Sequence, residues 1–287
     1  MGVNMKNKAK IILLVIFLSI SILFVSTVYA QEFSLKFTVG YGNISIGDYN
    51  TFGEGLEIYF NDLKDVFGGE TTGEFERLNL GFEYSGEIML KISKVFNIGV
   101  GVDYIQRSSK SEFTIHTAFM EYHSYTIEPY FRAIPIKASV YYFIPIIKPL
   151  KLFLNAGVGY YFGKMTNTTR IETLNSWSET KFDVKDRAVG FHGGVGLEIE
   201  FIPRLILFLE GKARYCILKS WEGEETYQDS DGFSDLRRGT LFFYQMKHDP
   251  DTRNLYPTIS MDIVPIGIYP KYFAFDLSEF SLRAGIR

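Results

Sequence analysis

The sequence predicts an all-β chain: an eight-stranded antiparallel transmembrane β-barrel, an up-and-down meander with long extracellular loops. Three observations lead there. Apolar and polar residues alternate with a period of two in eight separate segments. The connections between those segments are short and long by turns. Beyond residue 30, no run of about 18 apolar residues offers a membrane-crossing helix, so strands are the remaining means of crossing.

Composition points the same way. Aromatic residues make up 16% of the 287, and 26 Phe, 19 Tyr and 26 Gly together favour β-structure. With 30 Lys+Arg against 33 Asp+Glu the net charge is −3, which argues against nucleic acid as a partner. The single Cys, Cys216, excludes an internal disulfide framework and a four-cysteine zinc site.

Residues 1–30 read as a cleaved signal peptide. Lys6, Lys8 and Lys10 precede an apolar run from Ile11 to Val25, and Val28 and Ala30 supply the small residues of a cleavage site. Cleavage makes 31–287 the mature barrel domain and removes those three lysines, leaving 27 basic against 33 acidic residues, a net −6.

The first strand sets Phe33, Leu35, Phe37, Val39 and Tyr41 outward, with Ser34, Lys36, Thr38 and Gly40 between them. The second alternates from Leu78 to Ile92, broken by Met89, and the third from Phe96 to Tyr104. The fourth, Ile134 to Tyr142, is blurred by Pro135, Tyr141 and Phe143. The fifth runs from Leu152 to Phe162, the sixth from Val189 to Phe201, the seventh from Leu205 to Ile217 and the last from Phe280 to Ile286. Full strands reach the roughly 9–11 residues that a tilted transmembrane strand needs.

Short links fall at Ser93–Val95, Ile144–Leu150 and Ile202–Arg204, and long ones at Gly47–Glu74, Ser108–Tyr125, Met165–Arg187 and Ser220–Glu279. Tight turns at one end and extended loops at the other are the habit of outer-membrane barrels; a soluble sandwich has no reason to sort its loops so. In the first long loop Leu56, Phe60, Leu63 and Phe67 recur at helical spacing before Gly68-Gly69, predicting a short amphipathic helix packed on the rim. In the last, 220–279, Thr240–Met246 and Thr258–Val264 predict a hairpin.

The pattern resembles the OmpA-like and OmpW-like group of small outer-membrane β-barrels, and Asp276 to Ile286 resembles the final strand of barrel-domain members. Such barrels usually end in an aromatic residue, whereas this chain ends in Arg287. The resemblance implies export to the outer membrane of a Gram-negative-type envelope, with outer-membrane lipid as surroundings and the barrel-assembly machinery as partner during biogenesis. It implies no cofactor and no catalytic motif.

Candidate site residues come from parity. Lys36, Glu83, Glu87, Lys91, Asp103, Lys137, Glu198, Glu200, Glu210, Lys212, Arg214 and Arg283 share the inward parity of their strands. Unpaired charge in a narrow lumen is costly, so both signs together predict an internal ion-pair network that plugs the barrel, Glu83, Glu87 and Glu198 pairing with Lys212, Arg214 and Arg283. A polar conduit is the competing reading. Gly99/Gly101, Gly157/Gly159 and Gly194/Gly196 fall inside strands, where small residues make room in a narrow interior rather than cradle phosphate.

None of His116, His123, His192 and His248 has metal-ligand spacing. The acids of Gln228–Gly232 hint at calcium but fall short of EF-hand spacing, and the His248–Asp251 stretch reads as a solvated turn. Trp221, Phe242, Phe243 and Tyr244 in the last loop are expected to be exposed and to anchor an extracellular ligand of unknown identity. The expected role is structural or binding, not enzymatic and not that of a general porin. Two alternatives remain open: a surface hydrolase or acyltransferase, for which Ser124 beside His123 is a loose candidate, and a narrow channel for small apolar solutes.

Overall fold

The computed structural model describes residues 32–44, 46–116, 123–246, 256–261 and 271–287. The expected signal peptide, the His248–Asp251 stretch and the end of the Thr258–Val264 arm lie outside these residues. In chain order the elements are β1 (Phe33–Ile44), α1 (Gly47–Phe67), β2 (Glu70–Glu74), β3 (Leu80–Lys91), β4 (Phe96–Ser108), β5 (Ser111–His116), β6 (His123–Ile147), β7 (Leu150–Thr173) and β8 (Trp177–Ile202). There follow β9 (Leu205–Tyr215), β10 (Ile217–Leu218), β11 (Glu222–Asp229), β12 (Ser234–Thr240), β13 (Phe242–Met246), β14 (Tyr256–Ser260), β15 (Lys271–Tyr272), β16 (Phe275–Asp276) and β17 (Glu279–Ile286).

Following the pairings from β1 leads to β3, β4, β6, β7, β8, β9 and β17, and β17 pairs back onto β1, every step antiparallel. Each alternating segment of the sequence lies on one strand of this ring. The ring is uneven, since its strands range from 8 residues in β17 to 26 in β8. The short turns after β3, β6 and β8 lie at the same end as the start of β1 and the end of β17; α1 and the described residues between β9 and β17 lie at the other. Among the described residues no helix is long and apolar enough to cross a membrane, which says nothing against crossing by strands.

At the turn end the outward side chains are apolar and exposed, among them Phe37, Val100, Ile136, Val158, Leu197 and Leu282. Higher up, the two faces exchange polarity. On β8, Val189, Phe191, Val195 and Leu197 point out while His192 and Glu198 point in; before Arg187 the exposed residues are Lys181 and Lys185, and the buried ones are Phe182, Val184 and the single acid Asp186. The same exchange falls between Arg132 and Ile134 on β6 and between Phe162 and Lys164 on β7, and the register places these positions side by side. One strand thus serves two solvents.

This exchange corrects two expected loops. Ser108–Tyr125 holds β5 and the start of β6, and Met165–Arg187 is the upper hairpin of β7 and β8. Its apolar residues Met165, Phe182 and Val184 face a protein core and most of its polar ones face outward, with Asn167 and Asp186 buried, the reverse of the lower strands. The upper strands form a sheet in the order β2-β5-β6-β7-β8-β11-β12.

On that sheet packs α1, longer than expected. Its Phe60 ring lies 4.9 Å from Phe113 and 4.8 Å from Tyr125, and Leu63 is buried beside it. Gly68 and Gly69, both at positive φ, end it as the sequence suggests. Asp48 in its first turn accepts from Lys271 Nζ at 2.6 Å and from the Ala274 amide at 2.9 Å, tying α1 to the last loop. The expected hairpin of that loop is β13 with β14.

The charged lumen as candidate functional site

Inside the ring the inward charges meet across the lumen. Asp103 on β4 is the hub: Lys137 Nζ stands 2.7 Å from one carboxylate oxygen, and Lys212, Arg283 and Arg214 stand 3.0, 3.3 and 3.6 Å from the other. Glu83 on β3 accepts from Arg214 at 2.8 Å and from Arg283 and Ser281 on β17. Glu210 holds Lys36 at 2.9 Å and Asn155 at 2.6 Å. Glu87 accepts from the Tyr141 hydroxyl at 2.6 Å, with Lys137 at 3.7 Å. All of these ionised groups are buried.

Such packing of charge is possible because glycines leave the space. A Cβ at Gly99 would lie 2.0 Å from Glu87 Oε1, and one at Gly40 would lie 2.7 Å from the Arg283 side chain. The Gly-x-Gly pairs in the strands are part of this clearance. His192 contacts Ser139 Oγ at 3.0 Å. Among the described residues its Nδ1 has no hydrogen-bond partner, so no acid orients that ring. Asp229 of the acidic turn accepts from the amides of Asp231 and Phe233, so its carboxylate closes the turn.

Apolar groups close the lumen above and below the ion pairs. Towards the turn end Met89, Tyr141, Phe143, Phe153 and Phe208 form a cluster, and Lys36 Nζ sits 4.8, 5.1 and 4.4 Å from the rings of Tyr141, Phe153 and Phe208. The residues that interrupt the alternation, Met89, Tyr141 and Phe143, are this floor. Towards the head, Phe131 packs 4.6 Å from Phe275, and Trp221 packs 5.5 Å from Phe275.

Several expectations need correcting. Lys91 lies at the rim, exposed and paired with Glu32 at 2.5 Å; Glu200 is exposed too, because strand ends overrun the enclosed lumen. Glu198 and Glu87 are buried, yet Glu198 meets Arg287 at 2.9 Å and Lys151 at 3.5 Å, and Glu87 meets Tyr141 and Lys137, rather than the three cations expected. Trp221 is fully buried, and Phe243 and Tyr244 are buried as well, with Phe242 partly so and stacked on Tyr272. Trp221 and Phe243 belong to the core of a folded head, and none of the four is an exposed anchor. Ser124 and His123 lie at the start of β6 in the head, away from the lumen.

Two members of the network escape the sequence pattern. Glu279 accepts from Arg214 at 2.9 Å, and Arg107 stands 3.7 Å from it. Arg107 also donates to the carbonyls of Phe82, Gln106 and Gly42, where the β3–β4 ladder has stopped at Glu83 and Ile105. Extending the parity of Asp103 by two steps, or that of Arg283 back by two, identifies both.

Against known proteins, the family model described as outer membrane protein beta-barrel domain matches residues 15–235. No curated protein matches. A major outer membrane protein from Thermus thermophilus, seen in a crystal structure, is similar at 10% identity and a TM-score of 0.37 over 88% of this chain and 99% of that one.

Proposed function

The chain belongs to the outer membrane protein β-barrel domain family, and from that premise we propose a non-enzymatic barrel that carries a folded binding head above the outer membrane and conducts no solutes. The carrying observation is the lumen: five carboxylates (Glu83, Glu87, Asp103, Glu210, Glu279) and six cations (Lys36, Arg107, Lys137, Lys212, Arg214, Arg283) interlock between two apolar layers. A conduit needs mobile water along its axis, whereas these groups are buried and held by one another. An eight-stranded ring is also about the size that side chains can fill.

In this reading the eight ring strands cross the membrane, both chain ends face the periplasm, and residues 1–30 are removed on export. The working surface is the water-facing side of the head sheet. The two strands that it adds beside β8, β11 and β12, carry exposed charge and the exposed Leu236, and the turn between them exposes Phe233. Planar-bilayer recording of the purified full chain tests the plug. The expected result is a silent bilayer at moderate voltage; a stable, large conductance overturns it.

A further inference from the structure

At the level where the strand faces exchange polarity, the outward surface bears a basic row. Arg132 on β6 lies directly opposite Lys164 on β7, and Lys164 lies directly opposite Lys185 on β8. Arg187, one outward step below Lys185, stands opposite Phe162 with its guanidinium 5.8 Å from that ring. Directly opposite residues of paired strands share a face, and like charges placed so repel. Two acids adjoin the row: Asp183 pairs with Lys164 at 2.7 Å, and Glu222 on β11 lies opposite Lys185. Among the described residues Arg132, Lys185 and Arg187 form no ion pair.

The sheet therefore tolerates repulsion that simple alternation of sign would have removed. The position of the row says what offsets it. Immediately below lie Ile134, Phe162 and Val189, the top of the exposed apolar band, so the row stands where the headgroups of the outer leaflet begin. Across β4 it continues to Gln106, opposite Arg132. Gln106 lines a notch in the barrel wall with Leu80, Phe82 and Ser108, where β3 and β4 part.

We propose that Arg132, Lys164, Lys185 and Arg187 bind the phosphate of an anionic lipid of the outer leaflet, with the adjoining notch receiving the upper part of that lipid. Guanidinium and ammonium groups are the donors that phosphate oxygens accept best, and cations at a membrane surface act within a Debye length of the headgroups. The inference rests on the reading that the apolar band meets lipid, and insertion into vesicles reports on that reading separately.

The test uses the full chain in phosphatidylcholine nanodiscs with and without phosphatidic acid. Native mass spectrometry counts the lipid that stays bound after extraction. Wild type is expected to retain phosphatidic acid over phosphatidylcholine, and each Gln replacement among R132Q, K164Q, K185Q and R187Q is expected to lower that occupancy about fivefold. K64Q, on α1 of the head and away from its sheet, is expected to leave it unchanged. Equal retention of both lipids by wild type, or undiminished preference in the fourfold variant, overturns the proposal. Inorganic phosphate is the second arm: displacement of retained lipid by millimolar phosphate would assign a free-anion site instead. Thermal unfolding supplies an independent readout, in which phosphatidic acid raises the unfolding temperature of wild type and not that of the fourfold variant. A rise of equal size in both overturns the assignment.

Discussion

Arg214 on β9 places a guanidinium nitrogen 2.8 Å from Glu83 on β3, and the same guanidinium reaches Glu279 on β17 at 2.9 Å. One side chain thus joins three strands across the lumen, with every partner buried. Removing a carboxylate from such a set strands its cations in a medium that solvates them poorly.

For that reason Asp103→Asn, which deprives four cations of their shared acceptor, is expected to cost about 3–5 kcal/mol. Urea unfolding in lipid vesicles, followed by the heat-modifiable gel shift, measures it. Replacing Glu83 and Arg214 together by Met should cost less than either single change. Wild-type stability of Asp103→Asn would mean that these contacts contribute little.

The lipid face is probed best by Val100, which lies mid-strand, is exposed and pairs with Ile88 and Ala138. Leu80, mid-strand on the sequence pattern, is instead the first residue of β3 at the loop-end rim, so it is a poorer probe. Val100→Arg should lower stability in lipid by about 2–4 kcal/mol, and Leu197→Arg should act in the same direction. Unchanged folding yields of both in vesicles would sink the assignment of this face.

Gly99→Val fails differently. The new side chain points into the lumen against Glu87, and overpacking of this kind costs roughly 1–3 kcal/mol. The expected signature is a lower unfolding midpoint with unimpaired membrane partitioning, read by sucrose flotation. Loss of partitioning instead would place Gly99 on the lipid side.

The head offers a pH test. Tyr49 on α1 is buried and donates to Asn167 Oδ1 at 3.0 Å, and burial holds its phenol well above the ordinary range. A group raised in the folded state gives its full stabilisation below its unfolded value, about 10, and loses it as pH rises beyond that. Protease resistance of the head should therefore fall above about pH 10, and Tyr49→Phe should flatten that dependence. An identical alkaline profile in the variant would remove Tyr49 as its origin.

Much of this is legible in the sequence because a barrel wall leaves a period-two imprint that needs no long-range knowledge. Lys36, Asp103, Lys212 and Arg283 emerge from parity alone. What parity cannot state is where the enclosure ends, which is why it misplaces Lys91 and Glu200 at the rim, or which acid meets which base, which is why it gives Glu198 the wrong partners. The head is hidden for a further reason. Its strands keep the parity of the barrel but exchange the chemistry of the two faces, so Phe182 and Val184 sit at positions that lower on β8 belong to His192 and Glu198. A search for apolar residues on one fixed parity ends at the exchange, and Trp221, beyond it, reads as surface.

The order in which the chain is made has a bearing on the lumen. Glu83 and Asp103 leave the ribosome early, whereas both cations of Glu83 and three of the four around Asp103 reside on β9 and β17, the last strands of the ring. Until the final residues are delivered, those acids have few counter-charges to meet. A prematurely stopped chain would carry this deficit permanently, so the completeness of the polypeptide is itself written into whether its interior can be neutralised.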